Sequence, residues 1–339
     1  MKFPQIKIPF PWFKPKPQIS DFRIIFMASD EFAVPILKQL LDLERLLSEG
    51  NIITAVFTQP DKPAGRNKKV SPTPIKELAL KYKVPVMTPE KIDSGEWIKK
   101  IKNLRPDLII VCAYGQLIPK EILNIPKFGC INIHPSLLPK YRGSSPMQRV
   151  ILDGEKNTGV TIMLLDEKLD HGPILASRKE KVKIDDTTGS LAKRLSGIGG
   201  KLLINFLPNY LSGNYKPKPQ DHKIAIVTRE LAKKDGKIDW NKSAEEIERQ
   251  IRAFAPWPGT WSLWNSKILK IIQVQKCDGC KKSKPGKVFL TKKKKLAVNC
   301  GKDALIIEEL QLEGKRAMGA EEFLRGHGKI VGSVLSVRN

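Results

Sequence analysis

The sequence predicts an α/β protein: a mostly parallel sheet with helices on both faces, followed by a small antiparallel β-barrel. Three observations point there. Between residues 22 and 207 short apolar runs alternate with stretches of helical periodicity, the pattern of parallel strands joined by helical crossovers. The run Leu108-Ile109-Ile110-Val111-Cys112 is apolar throughout, as strands buried on both faces are. After residue 228, short runs of strand-forming residues follow one another with turn residues between them, the signature of a small barrel. A length of 339 residues suits two domains, each with its own core.

Taken in order, residues 1–20 are dense in proline and lysine and contain no acid. They match neither a signal peptide nor a transit peptide, and an extended arm is expected over 1–21. A strand at 23–27, a helix at 31–48 stopping at Glu49-Gly50 and a strand at 52–58 make a first βαβ unit. The loop 59–69, punctuated by proline and glycine, carries Lys62, Arg66, Lys68 and Lys69; loops of this length are usually functional or disordered. A helix at 74–83, a strand at 84–87, a helix at 94–103 and strands at 108–113 and 130–134 follow. Beyond them lie a helix at 146–153, a strand at 159–166, a tight turn at 168–173, a strand at 174–181 and a long helix at 187–207. The polar, proline-containing stretch 210–222 is a domain boundary, giving domains at 22–209 and 229–339 with a linker at 210–228. A helix at 243–254 and strands at 261–264, 268–275, 286–289, 296–299 and 304–309 complete the second domain.

The net charge is +25, of which +13 falls in residues 211–339 and +12 in residues 1–210. Both parts attract polyanions, nucleic acid first among them, although a lysine-rich genome would produce the same balance. No apolar run reaches the ~18 residues that span a bilayer. Five cysteines fit reduced thiols in a cytoplasmic setting better than a disulfide framework. Cys277 and Cys280, with Cys300 as a third candidate, lack a fourth ligand, so no metal is expected. Lys292–Lys295 reads as a hairpin tip, either simply solvated or available to phosphates. His222 and His327 read as surface residues of the linker and tail. No Gly-x-Gly-x-x-Gly or Walker A loop suggests a nicotinamide enzyme or a nucleotide hydrolase.

Chemistry concentrates at Asn132-Ile133-His134-Pro135. Side chains two apart on a strand project to one face, so an amide and an imidazole stand together at a strand's carboxyl end, where open α/β sheets bind ligands. Alone, such a pair is more often structural. Asp170, in another strand-to-strand turn, can orient the imidazole and stabilise its charged form, or simply cap a turn. An Asn, His and Asp without a Ser or Cys nucleophile suit acyl transfer to an amine that the substrate supplies, with the amide facing the oxyanion.

The run Ile131–Pro139, with Leu169-Asp170-His171-Gly172, resembles the 10-formyltetrahydrofolate-dependent formyltransferases. Three further stretches resemble the branch whose acceptor is a charged initiator tRNA: residues 57–66, Tyr141-Arg142-Gly143-Ser144-Ser145-Pro146-Met147-Gln148, and residues 238–240 with 251–261. The resemblance runs from about Phe22 to the C-terminus. It implies a Rossmann-like formyltransferase domain followed by an OB-like β-barrel that offers a basic surface to tRNA. It implies catalytic roles for Asn132, His134 and Asp170, folate contacts at Ser136, Leu137, Leu138 and Pro139, and tRNA contacts at Arg66, with Lys68 and Lys69 beside it. The substrates implied are 10-formyltetrahydrofolate as formyl donor and initiator methionyl-tRNA as acceptor, acted on by a cytoplasmic monomer. Where the family usually has Phe-x-Gly after the first strand, this chain has Phe26-Met27-Ala28. The rival readings are a folate-linked formyltransferase for a small amine such as an amino sugar, and an RNA-binding module that keeps the fold without the chemistry. The basic loop and the charge of residues 211–339 favour the nucleic-acid acceptor.

Overall fold

A computed structural model describes residues 19–47, 52–64, 69–277, 280 and 283–336. The expected arm lies outside the described residues up to position 18, and Ile19–Asp21 form a single 3-10 turn. The chain divides into two compact units, residues up to Asn132 with 200–218, and residues 133–199 with 219–339. One crossing, between Lys218 and Pro219, falls inside the expected linker. The others interrupt a strand and a helix, where composition gives no sign of a boundary.

The first unit holds β1 (Ile24–Ala28), α1 (Val34–Leu47), β2 (Ile53–Phe57), a small hairpin of β3 (Lys62–Ala64) and β4 (Lys69–Ser71), α2 (Pro74–Lys81), β5 (Val86–Met87), α3 (Gly95–Leu104), β6 (Leu108–Cys112), α4 (Lys120–Leu123) and the start of β7 (Cys130–His134). β1 pairs in parallel with β2 and β6, β2 with β5, and β6 with β7. Every residue of β1 and β6 is buried, which is why both read as unbroken apolar runs. α1 buries Ile36, Leu37, Leu40 and Leu41, one stripe of a 3.6-residue repeat. α2 starts on Thr73, whose hydroxyl accepts from Lys76 N at 3.1 Å, with Pro74 at the first helical position. Ala28 ends β1 fully buried with ordinary backbone, so the departure from glycine leaves the strand intact.

The second unit holds β8 (Arg142–Gly143), α5 (Pro146–Leu152), β9 (Asn157–Leu164), β10 (Ile174–Lys181), the first half of α6 (Thr188–Leu211), β11 (Val227–Thr228) and α7 (Ala244–Ala253). β9 and β10 pair antiparallel and β8 pairs in parallel with β11. The strand order of the seven-stranded sheet is β10-β9-β7-β6-β1-β2-β5, parallel from β7 to β5 and antiparallel between β9 and β10. α6 outlasts its expected end by a turn: Pro208 sits inside it, and Ser212 N still donates to Pro208 O at 3.2 Å.

The remaining strands are β12 (Thr260–Trp264), β13 (Lys267–Lys276), β14 (Val288–Leu290), β15 (Leu296–Asn299), β16 (Ala304–Leu312) and β17 (Met318–Gly319), followed by α8 (Ala320–His327). They form a six-stranded antiparallel sheet, in the order β12-β13-β16-β15-β14 with β17 on β16, curled into a half-barrel. Its core takes Ile247 and Ile251 from α7, Leu269, Ile271, Leu305 and Leu310 from the strands, and Phe323 from α8. α7 opens with a capping box, Ser243 Oγ accepting from Glu246 N and Glu246 Oε2 from Ser243 N, an arrangement that contributes about 1 kcal/mol. α8 has no counterpart in the sequence reading: it buries only Ala320 and Phe323, too few positions to reveal a period.

Two smaller expectations change. Cys277 and Cys280 are joined as a disulfide, whereas Cys112, Cys130 and Cys300 are free and buried. His327 is half-buried and stacked on Phe323 at 4.4 Å, so it is no surface residue. Lys292–Lys295 is an exposed tip between β14 and β15. Among the described residues no helix is long and apolar enough to cross a membrane, and no cluster of three or more His, Cys, Asp or Glu is placed to hold a metal ion.

Candidate active site

β7 delivers Asn132 and His134 to one face of a single strand by simple alternation. Asn132 is half-buried and His134 is 4% exposed. Pro135 ends the strand, and the chain turns through 136–141 to β8. That turn is tied to β9: Thr161 Oγ1 donates to Ser136 O at 2.7 Å and accepts from Leu138 N at 3.2 Å, while Ser136 Oγ donates to Lys140 O at 2.7 Å. Leu137 packs over Gly159, where a β-carbon would stand 2.6 Å from its Cδ2. Of the four residues expected to touch folate, Leu137 and Pro139 are half-buried, whereas Ser136 and Leu138 face inward.

The turn fixes the imidazole. His134 Nε2 lies 2.8 Å from Tyr141 O. A carbonyl only accepts, so Nε2 carries the proton of the neutral ring and Nδ1 keeps the lone pair. Nδ1 faces Asp170 Oδ2 at 3.6 Å, with both side chains buried. That separation exceeds an N–H···O hydrogen bond, so the carboxylate is near enough to compensate charge on the ring without closing off Nδ1.

Asp170 occupies the turn between β9 and β10 in the left-handed region, φ +47, a conformation costing an ordinary residue about 1 kcal/mol or more. Its Oδ2 accepts from Gly143 N at 2.8 Å. Gly143 has φ +96, and an added β-carbon would stand 2.2 Å from Thr228 O; only glycine offers its amide to Asp170 from there. One oxygen of the carboxylate, Oδ2, thus accepts from the backbone donor and also faces the imidazole.

The structure brings His134 and Asp170 together, as the sequence reading anticipated, and keeps Asn132 on the strand face of His134. It also reveals partners that the reading did not find: the Tyr141 carbonyl, the Gly143 amide and a buried pair, Arg142 and Gln220, behind Asp170. A glycine after an arginine is the only trace these leave in the sequence. His222 is exposed, as expected of a surface residue, yet it stacks on His171 at 4.1 Å and accepts from Arg142 Nη2 at 2.8 Å, while His171 pairs with Asp166 at 2.7 Å. Burial, then the charges of His171, Arg142 and Lys168, hold His222 below the usual histidine value. Arg66 and Lys68 lie outside the described residues; Lys69 opens β4 and its backbone pairs with Ala64.

Comparison with known proteins adds the decisive observation. Residues 22–207 match the family described as Formyl transferase, and residues 230–328 match Formyl transferase, C-terminal domain. The chain belongs to the formyl transferase family. Methionyl-tRNA formyltransferase from Citrifermentans bemidjiense is 40% identical over 95% of this chain and 98% of its own length. The enzymes of that name from Myxococcus xanthus and Bacillus subtilis are 42% and 40% identical, covering 92% and 94% of this chain and 97% and 98% of their own lengths. Among solved structures, the sugar 3N-formyl transferase WlaRD has a TM-score of 0.62 at 20% identity, covering 87% of this chain and 99% of WlaRD. HypX from Aquifex aeolicus in complex with tetrahydrofolic acid has a TM-score of 0.60 at 19% identity, covering 93% of this chain and 48% of HypX. These two likenesses are of fold. Membership of the family makes the chain an enzyme of formyl transfer.

Proposed function

We propose that this enzyme moves the formyl group of 10-formyltetrahydrofolate to the α-amine of methionine esterified to initiator tRNA, and that Asn132, His134 and Asp170 carry the transfer. The observation that carries the reading is full-length identity of about 40% to methionyl-tRNA formyltransferases, joined to an imidazole whose Nδ1 faces a held carboxylate. The amine nitrogen attacks the formyl carbon, and the carbonyl electron pair moves onto oxygen. His134 Nδ1, which holds the lone pair of the neutral ring, takes the proton that the amine gives up; Asn132 by its N–H and the imidazolium so formed donate to the oxyanion, with Asp170 balancing the ring's charge. Collapse breaks the bond from carbon to N10. The amine loses one proton and N10 gains one, and His134 is the group placed to relay it. Ser136, Leu137, Leu138 and Pro139 form the folate-contacting turn, with Leu137 and Pro139 presenting side chains and Ser136 and Leu138 shaping the loop from within.

Residues 22–209 form the catalytic domain of this reading, 210–228 the linker and 229–339 the tRNA-binding domain, with 1–21 as an arm. The basic loop bearing Arg66, Lys68 and Lys69 takes the acceptor end. The protein works as a cytoplasmic monomer. The reading is tested by offering 10-formyltetrahydrofolate with charged initiator tRNA and, separately, with an amino sugar nucleotide. Formyl transfer to the tRNA alone is expected; transfer to the sugar alone refutes it.

A further inference from the structure

Gln220 lies in the stretch that composition marks as a linker, yet it is 6% exposed. Its Nε2 donates to the main-chain carbonyls of Asp170 at 3.0 Å and Gly172 at 2.6 Å. Its Oε1 accepts from Arg142 twice, from Nε at 3.2 Å and from Nη2 at 2.7 Å. Arg142 is itself buried. A guanidinium has only donors and a carbonyl only accepts. The glutamine amide is therefore locked in one orientation, oxygen toward Arg142 and nitrogen toward the Asp170 turn; the flipped amide would oppose donor to donor and acceptor to acceptor.

What this amide grips is a backbone that would not rest there unaided. Asp170 is left-handed at φ +47, and such residues persist where their surroundings over-determine them. Gly172 is packed so that a β-carbon would stand 2.0 Å from Leu164 O. We propose that Gln220 is a positioning residue for formyl transfer: it acts through the Asp170 main chain to hold the carboxylate against His134, and Arg142 sets the amide that does so. The inference rests on the role given to Asp170 above. Gln220 makes no demand on either substrate, so its loss is read in kcat rather than in KM. A carboxylate misplaced by about 1 Å costs on the order of a hundredfold in rate.

The test compares kcat and KM for both substrates in Gln220→Ala, Gln220→Glu, Asp170→Asn and the double variant Asp170→Asn/Gln220→Glu. Glutamate keeps an acceptor for buried Arg142 but has no proton for the two carbonyls, so it stays folded while removing the grip. The expected result is a fall in kcat of roughly ten- to a hundredfold for both Gln220 variants with KM unchanged. The double variant should be no slower than Asp170→Asn, because placement stops mattering once the carboxylate is gone. Wild-type kcat in Gln220→Glu, or losses that multiply in the double variant, would overturn the inference. Wild-type kcat in Asp170→Asn would instead overturn the assignment of Asp170, and the inference with it.

Discussion

Replacing Gly143 by alanine puts a methyl where the backbone leaves no room for one. The β-carbon would stand 2.2 Å from Thr228 O and 3.1 Å from Thr228 Oγ1. Non-bonded atoms rest near ~3.5 Å, so β8 and β11 must part by about 1 Å. The φ of +96 adds strain for any residue with a side chain, together on the order of 2 kcal/mol. The same movement withdraws the amide that donates to Asp170 Oδ2 at 2.8 Å, and a shift of that size costs roughly a hundredfold in turnover. The assay is formyl transfer under saturating substrates beside a thermal melt. Gly143→Ala should be both slower and less stable. Wild-type turnover would refute the claim that the amide holds the carboxylate, and an unchanged melt would refute the packing argument.

Three other outcomes are expected. Arg194 pairs with buried Asp186 at 2.6 Å; burial opposes the charge, but Arg194, Ser190 and the Lys183 amide outweigh it and hold the carboxyl at about 2 against an ordinary 3.8. A depressed folded value gives stability that is complete above 3.8 and lost as pH falls toward 2, about 2 kcal/mol in all, so acid unfolding of Asp186→Asn should lack that increment. His222 has the same sign in a higher range: held below 6.5 and accepting from Arg142, it resists a proton that the unfolded chain takes up, so stability falls as pH drops below 6.5. Melts from pH 7 to 5 should show a smaller decline in His222→Gln. Finally, tRNA affinity should fall steeply with salt through counterion release, and titrations showing a flat dependence would count against a phosphate-contacting surface.

Much of this was legible in sequence because it is local. The apolar runs at 24–28 and 108–112 announce buried parallel strands, and Asn132 and His134 share a face by spacing alone. Asp170 could be nominated as their partner, but a turn aspartate can as readily cap the backbone, and it is the fold that brings it to 3.6 Å from His134. The rest is non-local. Gln220 meets Asp170 fifty positions away through a side-chain amide and two carbonyls, and hydrogen bonds of that kind impose no periodicity or composition on the stretch that makes them. The same stretch reads as a linker because its prolines and charges are real, although one buried glutamine inside it does the anchoring. His171 and His222 are separately unremarkable and acquire meaning only when stacked. Which nitrogen of His134 faces Asp170 is likewise a structural fact, since the other is engaged by the carbonyl of Tyr141.

The most direct measurement is single-turnover formyl transfer from 10-formyltetrahydrofolate to charged initiator tRNA by the wild type and His134→Ala. The geometry predicts rapid N-formylation by the wild type and a loss of roughly a hundredfold or more in the variant, the scale of acid–base catalysis, with tRNA still bound. Near-normal transfer by His134→Ala would contradict the account at its centre.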